Sequence, residues 1–231
     1  MTLEPRYEKK FVLENIPMSQ IKAYVLRHPA GFRQAYPERT INNVYLDSPG
    51  LESFYSHVNG AAQRTKIRIR WYGNSFMSKI PSPLVEKKLK VGLIHYKLSL
   101  PASTISLNHN FRKSITDAIL NLVPDNALKN ELASLNPVLF NRYRRMYFID
   151  ASGRVRLTLD YQLEFLNLLN CHLFDSQFTK FLKPLTIIEL KFKPQSLDYA
   201  SDLASKFSFR LSKFSKYVVG VQLSVFQQSL V

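Results

Sequence analysis

Along five segments of the chain, side-chain character alternates with a period of two, the pattern of β-strands whose two faces meet different surroundings. From Lys66 to Tyr72, one face carries Lys66, Arg68, Arg70 and Tyr72 and the other Ile67, Ile69 and Trp71. From Val85 to Lys90, Glu86, Lys88 and Lys90 oppose Val85, Lys87 and Leu89. From Arg154 to Asp160, Arg154, Arg156, Thr158 and Asp160 oppose Val155, Leu157 and Leu159. From Ile187 to Lys193, Ile187, Glu189, Lys191 and Lys193 oppose Ile188, Leu190 and Phe192. The opening run sets Arg6, Glu8 and Lys10 against Tyr7, Lys9 and Phe11. Further strands are expected over 40–47, from His95 to Leu100 and from Val138 to Ile149.

Helices are expected between these strands. Pro17 starts one that runs to about His28 and stops before Pro29. Asp47-Ser48-Pro49 caps a short helix carrying Leu51, Phe54, Tyr55 and Val58. Others are expected from Phe111 to Leu122, Pro124 to Leu135 and Gln195 to Phe207, with a final amphipathic helix from Val218 to Gln228. Strands with inserted helices make the class α+β. No internal repeat or Pro/Gly/Ser-rich linker appears, so residues 1–231 read as one domain.

Charge changes the picture. The 231 residues carry 32 Lys and Arg against 17 Asp and Glu, a formal net charge of +15. That excess calls for a polyanionic partner, and by itself does not choose among nucleic acid, phosphates and an acidic membrane. The single cysteine, Cys171, excludes an intrachain disulfide and reads as a small core residue. The charged N-terminus is no signal peptide. The most apolar stretch, Leu163 to Phe174, is too short and polar to span a bilayer, so a cytoplasmic protein is expected. His95 and His172 have no second His or Cys at metal-binding spacing.

The position of the charges is more informative than their number. The polar strand faces are basic, where a solvated face would accept Ser, Thr or Gln equally well. Two like charges ~7 Å apart repel by on the order of 2 kcal/mol at an effective dielectric near 20. Clustering many is therefore costly unless an anion neutralises them. A closed barrel with a charged lumen satisfies every strand at once. Trp71, Tyr7 and Phe11 fall on the packing faces, which argues against an external nucleic-acid surface. In RLSKFSKYVVG, Lys213, Ser215 and Lys216 precede the expected final helix and suit a phosphate. In NRYRRMYF, Arg144 and Arg145 are adjacent and must face opposite ways.

RYEKKF, NNVYLDS, KIRIRWYG, VEKKLK, LFNRYRRMYF, VRLTLDYQL, IIELKFK and KFSKYVVG follow one another in this order over nearly the whole chain. Together they resemble the VTC domain, the catalytic domain of vacuolar transporter chaperone polyphosphate polymerases, within the triphosphate tunnel metalloenzymes and their CYTH-like relatives. The resemblance implies an antiparallel β-barrel tunnel with helices packed on the outside. It implies a polymerase that transfers the γ-phosphate of ATP to inorganic polyphosphate with a divalent metal, Mn2+ or Mg2+. By the same resemblance, Arg68, Arg70, Lys88, Arg145 and Arg156 act on the transferred group. Lys10, Lys66, Lys97, Lys191, Lys213 and Lys216 bind phosphate, and Glu189 holds the metal. The first strand departs from the triphosphatases, which open with two glutamates and a lysine on one face. Here that face reads Arg6, Glu8, Lys10, which weakens a hydrolase reading. An inorganic or nucleoside triphosphatase of the same fold and a non-catalytic polyphosphate-binding module are the alternatives. Family polymerases carry membrane helices that this sequence lacks, which leaves a membrane partner open; nucleic acid is not an expected partner.

Overall fold

The computed structural model describes residues 5–73, 79–102, 104–106, 113–117, 126–169, 179–181 and 184–226. Cys171 and His172 lie outside them. The strands are β1 (Tyr7–Glu14), β2 (Arg33–Asp47), β3 (Gln63–Tyr72), β4 (Lys79–Ile80), β5 (Leu84–Val91), β6 (Ile94–Pro101), β7 (Ile105–Ser106), β8 (Asn136–Ile149), β9 (Val155–Asn167), β10 (Thr179–Lys180) and β11 (Leu185–Phe192). The helices are α1 (Met18–Arg27), α2 (Glu52–Val58), α3 (Asn126–Ala133), α4 (Leu197–Ser205) and α5 (Lys216–Ser224). Residues 113–117 are also helical. None of the described helices is long and apolar enough to cross a membrane.

Among the described residues, nine strands form one antiparallel sheet, eight of them in the order β1-β11-β9-β8-β2-β3-β5-β6 and the short β10 paired to β9 off this path. The sheet curls until its two ends meet. Arg6 and His95 form an antiparallel bridge there, with N···O distances of 3.1 and 3.0 Å. Further along the free edge of β1, Phe11 bridges to Leu211 and Ser212 N donates to Lys10 O at 2.8 Å. The segment that leads into α5 therefore fills the seam that β6 leaves open.

The alternation sorts side chains as a barrel requires. Ile67, Ile69, Trp71 and Val85 pack outward into one core with Leu132 of α3. Phe11, Leu157, Leu159, Ile188 and Leu190 pack outward beneath α1 and α4. α1 begins after Pro17 and ends at His28, whose extended backbone suits a residue before proline. Asp47 caps α2: its carboxylate accepts from Ser48 N, Ser53 N and Phe54 N at 2.8, 2.9 and 3.0 Å.

Whereas α1, α3 and α4 lie outside, α5 enters the barrel. Tyr217, Val218 and Val221 pack on the inward-facing Tyr45, Leu139, Tyr143, Leu163, Phe165 and Ile187. Two local features make room. A bulge in β9 between its pairings to Arg142 and Arg144, with Gln162 at φ 51°, switches the strand's alternation. Arg156, Thr158 and Asp160 thus face inward before it, and Leu163 and Phe165 face inward after it. Gly220 allows the close approach, since a Cβ there would lie 2.5 Å from both Leu139 Cδ2 and Phe165 Cδ1. Tyr217 OH donates to Asp47 Oδ2 at 2.5 Å, tying α5 to the α2 cap. α5 starts at Lys216, two residues earlier than expected, and is apolar around most of its surface rather than amphipathic.

Candidate functional site

The inward faces of all eight strands, with the segment before α5, enclose a cavity of about 1000 Å³. Among the described residues, fifteen Lys and Arg side chains line it against three carboxylates, Glu8, Glu86 and Glu189, and Asp160 faces inward beside Arg145 and Lys216. Every site residue expected from the sequence lines this one chamber: Lys10, Lys66, Arg68, Arg70, Lys88, Lys97, Arg145, Arg156, Glu189, Lys191, Lys213 and Lys216. They are not equivalent. Arg156 and Lys213 are exposed at the rims, while Arg70, Arg145 and Glu189 are buried. Arg144 faces outward and pairs with Glu38. Lys193 lies beyond the end of β11 and does not line the chamber.

Each inward carboxylate gathers several cations. Two nitrogens of Arg68 meet Glu86 Oε2 at 2.7 and 2.6 Å, Arg70 stands 3.5 Å from the same oxygen, and Lys97 pairs with Oε1. Lys88 Nζ is 2.8 Å from both oxygens of Glu8, across the seam between β1 and β6. Glu189 meets Lys191 at 2.7 Å, Lys10 at 3.2 Å and Arg145 at 3.7 Å. Asp160 takes two bonds from Arg145, at 2.5 and 2.6 Å, and one from Lys216 at 2.5 Å. Asn43 and Tyr143 orient Arg70, at 2.9 and 3.2 Å.

Lys66 is held by a hydroxyl. Its Nζ bonds to Ser215 Oγ at 2.6 Å, and among the described residues no carboxylate pairs with it. Lys216 is the first residue of α5 rather than part of the loop before it, and Ser215 is the cap residue. The KFSK segment therefore spans from Lys66 on β3 to Asp160 on β9.

Sequence reasoning put Arg6 and Lys90 on basic strand faces without naming them as site residues, and missed Arg64, Tyr45 and Tyr143 as lining residues. Most carried a usable signal. Arg64 extends the Lys66 face by one step of the strand period, Lys90 shares the Lys88 face, and Tyr143 shares that of Arg145.

Residues 5–225 match the family model of the VTC domain. The chain belongs to the VTC domain family. No curated protein matches it in sequence. Among solved structures, it is similar to a protein from Vibrio parahaemolyticus provisionally assigned as an adenylate cyclase, with TM-score 0.52 and 11% identity over 94% of this chain and 99% of that one. A second, from Bacillus halodurans with the same provisional assignment, gives TM-score 0.50 and 11% identity over 93% and 96%. At these identities the likeness concerns the fold alone, a curled antiparallel tunnel.

The electrostatics of this VTC domain follow from crowding cations where water is scarce. Burial, then Lys10, Lys88, Arg64 and Arg68, push the Lys66 amine well below its ordinary range. Burial lowers Lys88 to about 8, although Glu8 opposes the shift. Burial likewise lowers Lys191 to about 7 against the pull of Glu189. Burial and Glu189 press Glu8 upward, yet Lys88, Lys10 and Lys191 outweigh them and hold it at about 2. Burial also opposes ionisation of Glu189, and Lys191, Lys10, Lys88 and Lys216 overcome it and hold it well below the carboxylate range. The chamber thus keeps its carboxylates ionised and is short of negative charge.

Among the described residues, no group of three or more His, Cys, Asp or Glu is placed to hold a metal ion. The donors do fit an ion that arrives with phosphates. Mg2+ and similar ions take one or two carboxylates and draw their remaining ligands from phosphate and water. Glu189 is an ionised carboxylate facing the chamber and meets that need.

Proposed function

We propose that this VTC domain is a polyphosphate polymerase that transfers the γ-phosphate of ATP to the end of a growing polyphosphate chain. The observation that carries the reading is the charge balance of the chamber: among the described residues, fifteen Lys and Arg stand against Glu8, Glu86, Glu189 and the inward-facing Asp160, each carboxylate already ion-paired. A polyanion supplies what the walls lack. A hydrolase that activates water with divalent metals needs clustered carboxylates, and no such cluster stands among the described residues. The adenylate cyclase assignment of the two similar structures also fits a nucleoside triphosphate in the tunnel.

Phosphoryl transfer asks the protein chiefly for alignment and neutralisation of charge. Arg68, Arg70, Lys88 and Arg145 converge from β3, β5 and β8 to hold the transferred group. Arg156 guides the triphosphate at the rim. Lys10, Lys66, Lys97 and Lys191 bind the neighbouring phosphates, and Lys213 and Lys216 bind the acceptor chain. An oxygen of the chain's terminal phosphate bonds to the γ-phosphorus. The bond from that phosphorus to the bridging oxygen breaks, and the nucleoside diphosphate leaves with the electron pair. A divalent ion held by Glu189, Mn2+ or Mg2+, supplies charge neutralisation on phosphate oxygens when bound. A chamber this cationic favours a polyanionic acceptor over water.

Incubation with ATP and Mn2+, followed by gel electrophoresis, tests the reading. A ladder of polyphosphate is expected, and Arg70→Ala should abolish it. Orthophosphate alone would make the protein a triphosphatase. Tight binding without turnover would make it a polyphosphate-binding module.

A further inference from the structure

At the end of the barrel where β2 begins and β8 ends, Tyr36 and Tyr147 join Arg33 and Arg156 in the chamber wall. β2 is irregular there: its register with β8 shifts between Gln34 and Tyr36 and again between Tyr36 and Arg39, the interval that holds Pro37. The ring of Tyr36 meets that of Tyr147 edge-on, with centroids 5.9 Å apart and planes at 88°. The Arg39 guanidinium stands 5.9 Å from both ring centroids and 5.5 Å from that of Tyr72. Three rings therefore converge on one guanidinium. Tyr36 and Tyr147 line the chamber, yet Tyr36 is 57% exposed and Tyr72 40%.

Single exposed aromatic residues are ordinary. Tyr36 and Tyr147 in the wall of a polyanion chamber, braced by Arg39 and Tyr72 from outside that lining, present flat apolar surface where a ligand enters. Tyr147 lies two residues beyond Arg145 on β8, about 7 Å along the strand. A triphosphate gripped by Arg70 and Arg145 would carry any attached sugar and base outward to this height. Inorganic tripolyphosphate has nothing to place there.

We propose that Tyr36, Tyr147 and Arg39 form a stacking subsite for the base of a nucleoside triphosphate, so that the chamber distinguishes a nucleotide from an inorganic triphosphate. The subsite rests on the reading of the chamber as a triphosphate site. Recognition by ring stacking tolerates different bases and favours the larger purines. Tyr36 contributes an exposed ring, and Tyr147 and Arg39 fix its orientation.

Calorimetric titration with the β,γ-imido analogue of ATP and with inorganic tripolyphosphate tests the subsite without turnover. Tyr36→Ala should raise Kd for the ATP analogue about tenfold, as expected for loss of one base–aromatic stack. Kd for tripolyphosphate should stay within about twofold, which also shows that the variant is folded. Tyr36→Phe should bind both ligands like the wild type. An unchanged Kd for the analogue in Tyr36→Ala, or an equal loss for both ligands, overturns the subsite and leaves the polymerase reading standing. Failure of the wild-type protein to bind tripolyphosphate overturns both.

Discussion

Lys66 donates from Nζ to Ser215 Oγ at 2.6 Å, and the same hydroxyl accepts from Val218 N at 3.4 Å to cap α5. One serine thus connects a chamber lysine that has no carboxylate partner among the described residues to the helix that fills the barrel. Lys66 costs folding energy, whether it keeps its proton beside Lys10, Lys88, Arg64 and Arg68 or gives it up. Lys66→Met should therefore raise Tm of the ligand-free protein by roughly 2–4 °C, the shift that ~1 kcal/mol makes in a chain of this size. The same variant should gain less Tm from added tripolyphosphate than the wild type. Scanning calorimetry with and without the ligand reads both effects.

Stability and phosphate affinity should respond to pH in opposite directions. Lys88 and Lys191 titrate at about 8 and about 7 in the folded chain, and lysine in an unfolded chain titrates near ~10.4. Between these values the unfolded chain holds more protons, so stability rises as pH climbs through 7 and 8. The same loss of charge weakens the hold on phosphate. Tm of the ligand-free protein should be higher at pH 9 than at pH 6.5, after allowance for other groups, and Kd for tripolyphosphate should be higher too. Glu8 acts at the other end: its ion pairs stabilise the fold above the ordinary carboxylate range, and that contribution is lost as pH falls through about 2.

Glu189→Gln separates binding from chemistry. It leaves Lys191, Lys10 and Arg145 without the carboxylate they share. Removing one partner of a buried ion pair costs about 3 kcal/mol, so the ligand-free variant should unfold at lower denaturant concentration. Tripolyphosphate should bind at least as tightly as to the wild type, because one negative charge has left the chamber, while turnover of ATP should be lost. Denaturant titration, calorimetry and a product assay check the three effects.

Gly220→Ala tests the placement of α5. The new methyl would stand 2.5 Å from Leu139 Cδ2 and Phe165 Cδ1, in a region with no free space. Overpacking of this kind costs about 1–3 kcal/mol, which outweighs the small gain in helix propensity. Chemical denaturation should show a loss in that range.

Most of the barrel wall was legible because charge and apolarity alternate cleanly on β1, β3, β5, β9 and β11. A row such as Lys66, Arg68, Arg70 has one reading as a strand face, and five such rows have few common solutions besides a lumen. The start of β2 was not legible. Residues 33–39 do not alternate, and Pro37 interrupts the pairing with β8. The bulge at Gln162 escaped notice because nothing in the residue type marks its positive φ. Without it, Leu163 and Phe165 seem to face away from the lumen. The place of α5 was recoverable, since a helix apolar on nearly all sides belongs in an interior. The ion-pair partners were only partly legible: Asp160 was readable as an arginine's partner, whereas Glu8 with Lys88 joins residues 80 positions apart across a seam that no local pattern announces.

The most direct measurement is the fate of the terminal phosphate. With γ-labelled ATP, Mn2+ and purified protein, most of the label should appear in polymer too long to migrate with orthophosphate, and the polymer should lengthen with time. Label recovered only as orthophosphate would show that water, not a phosphate chain, is the acceptor, and would contradict the account.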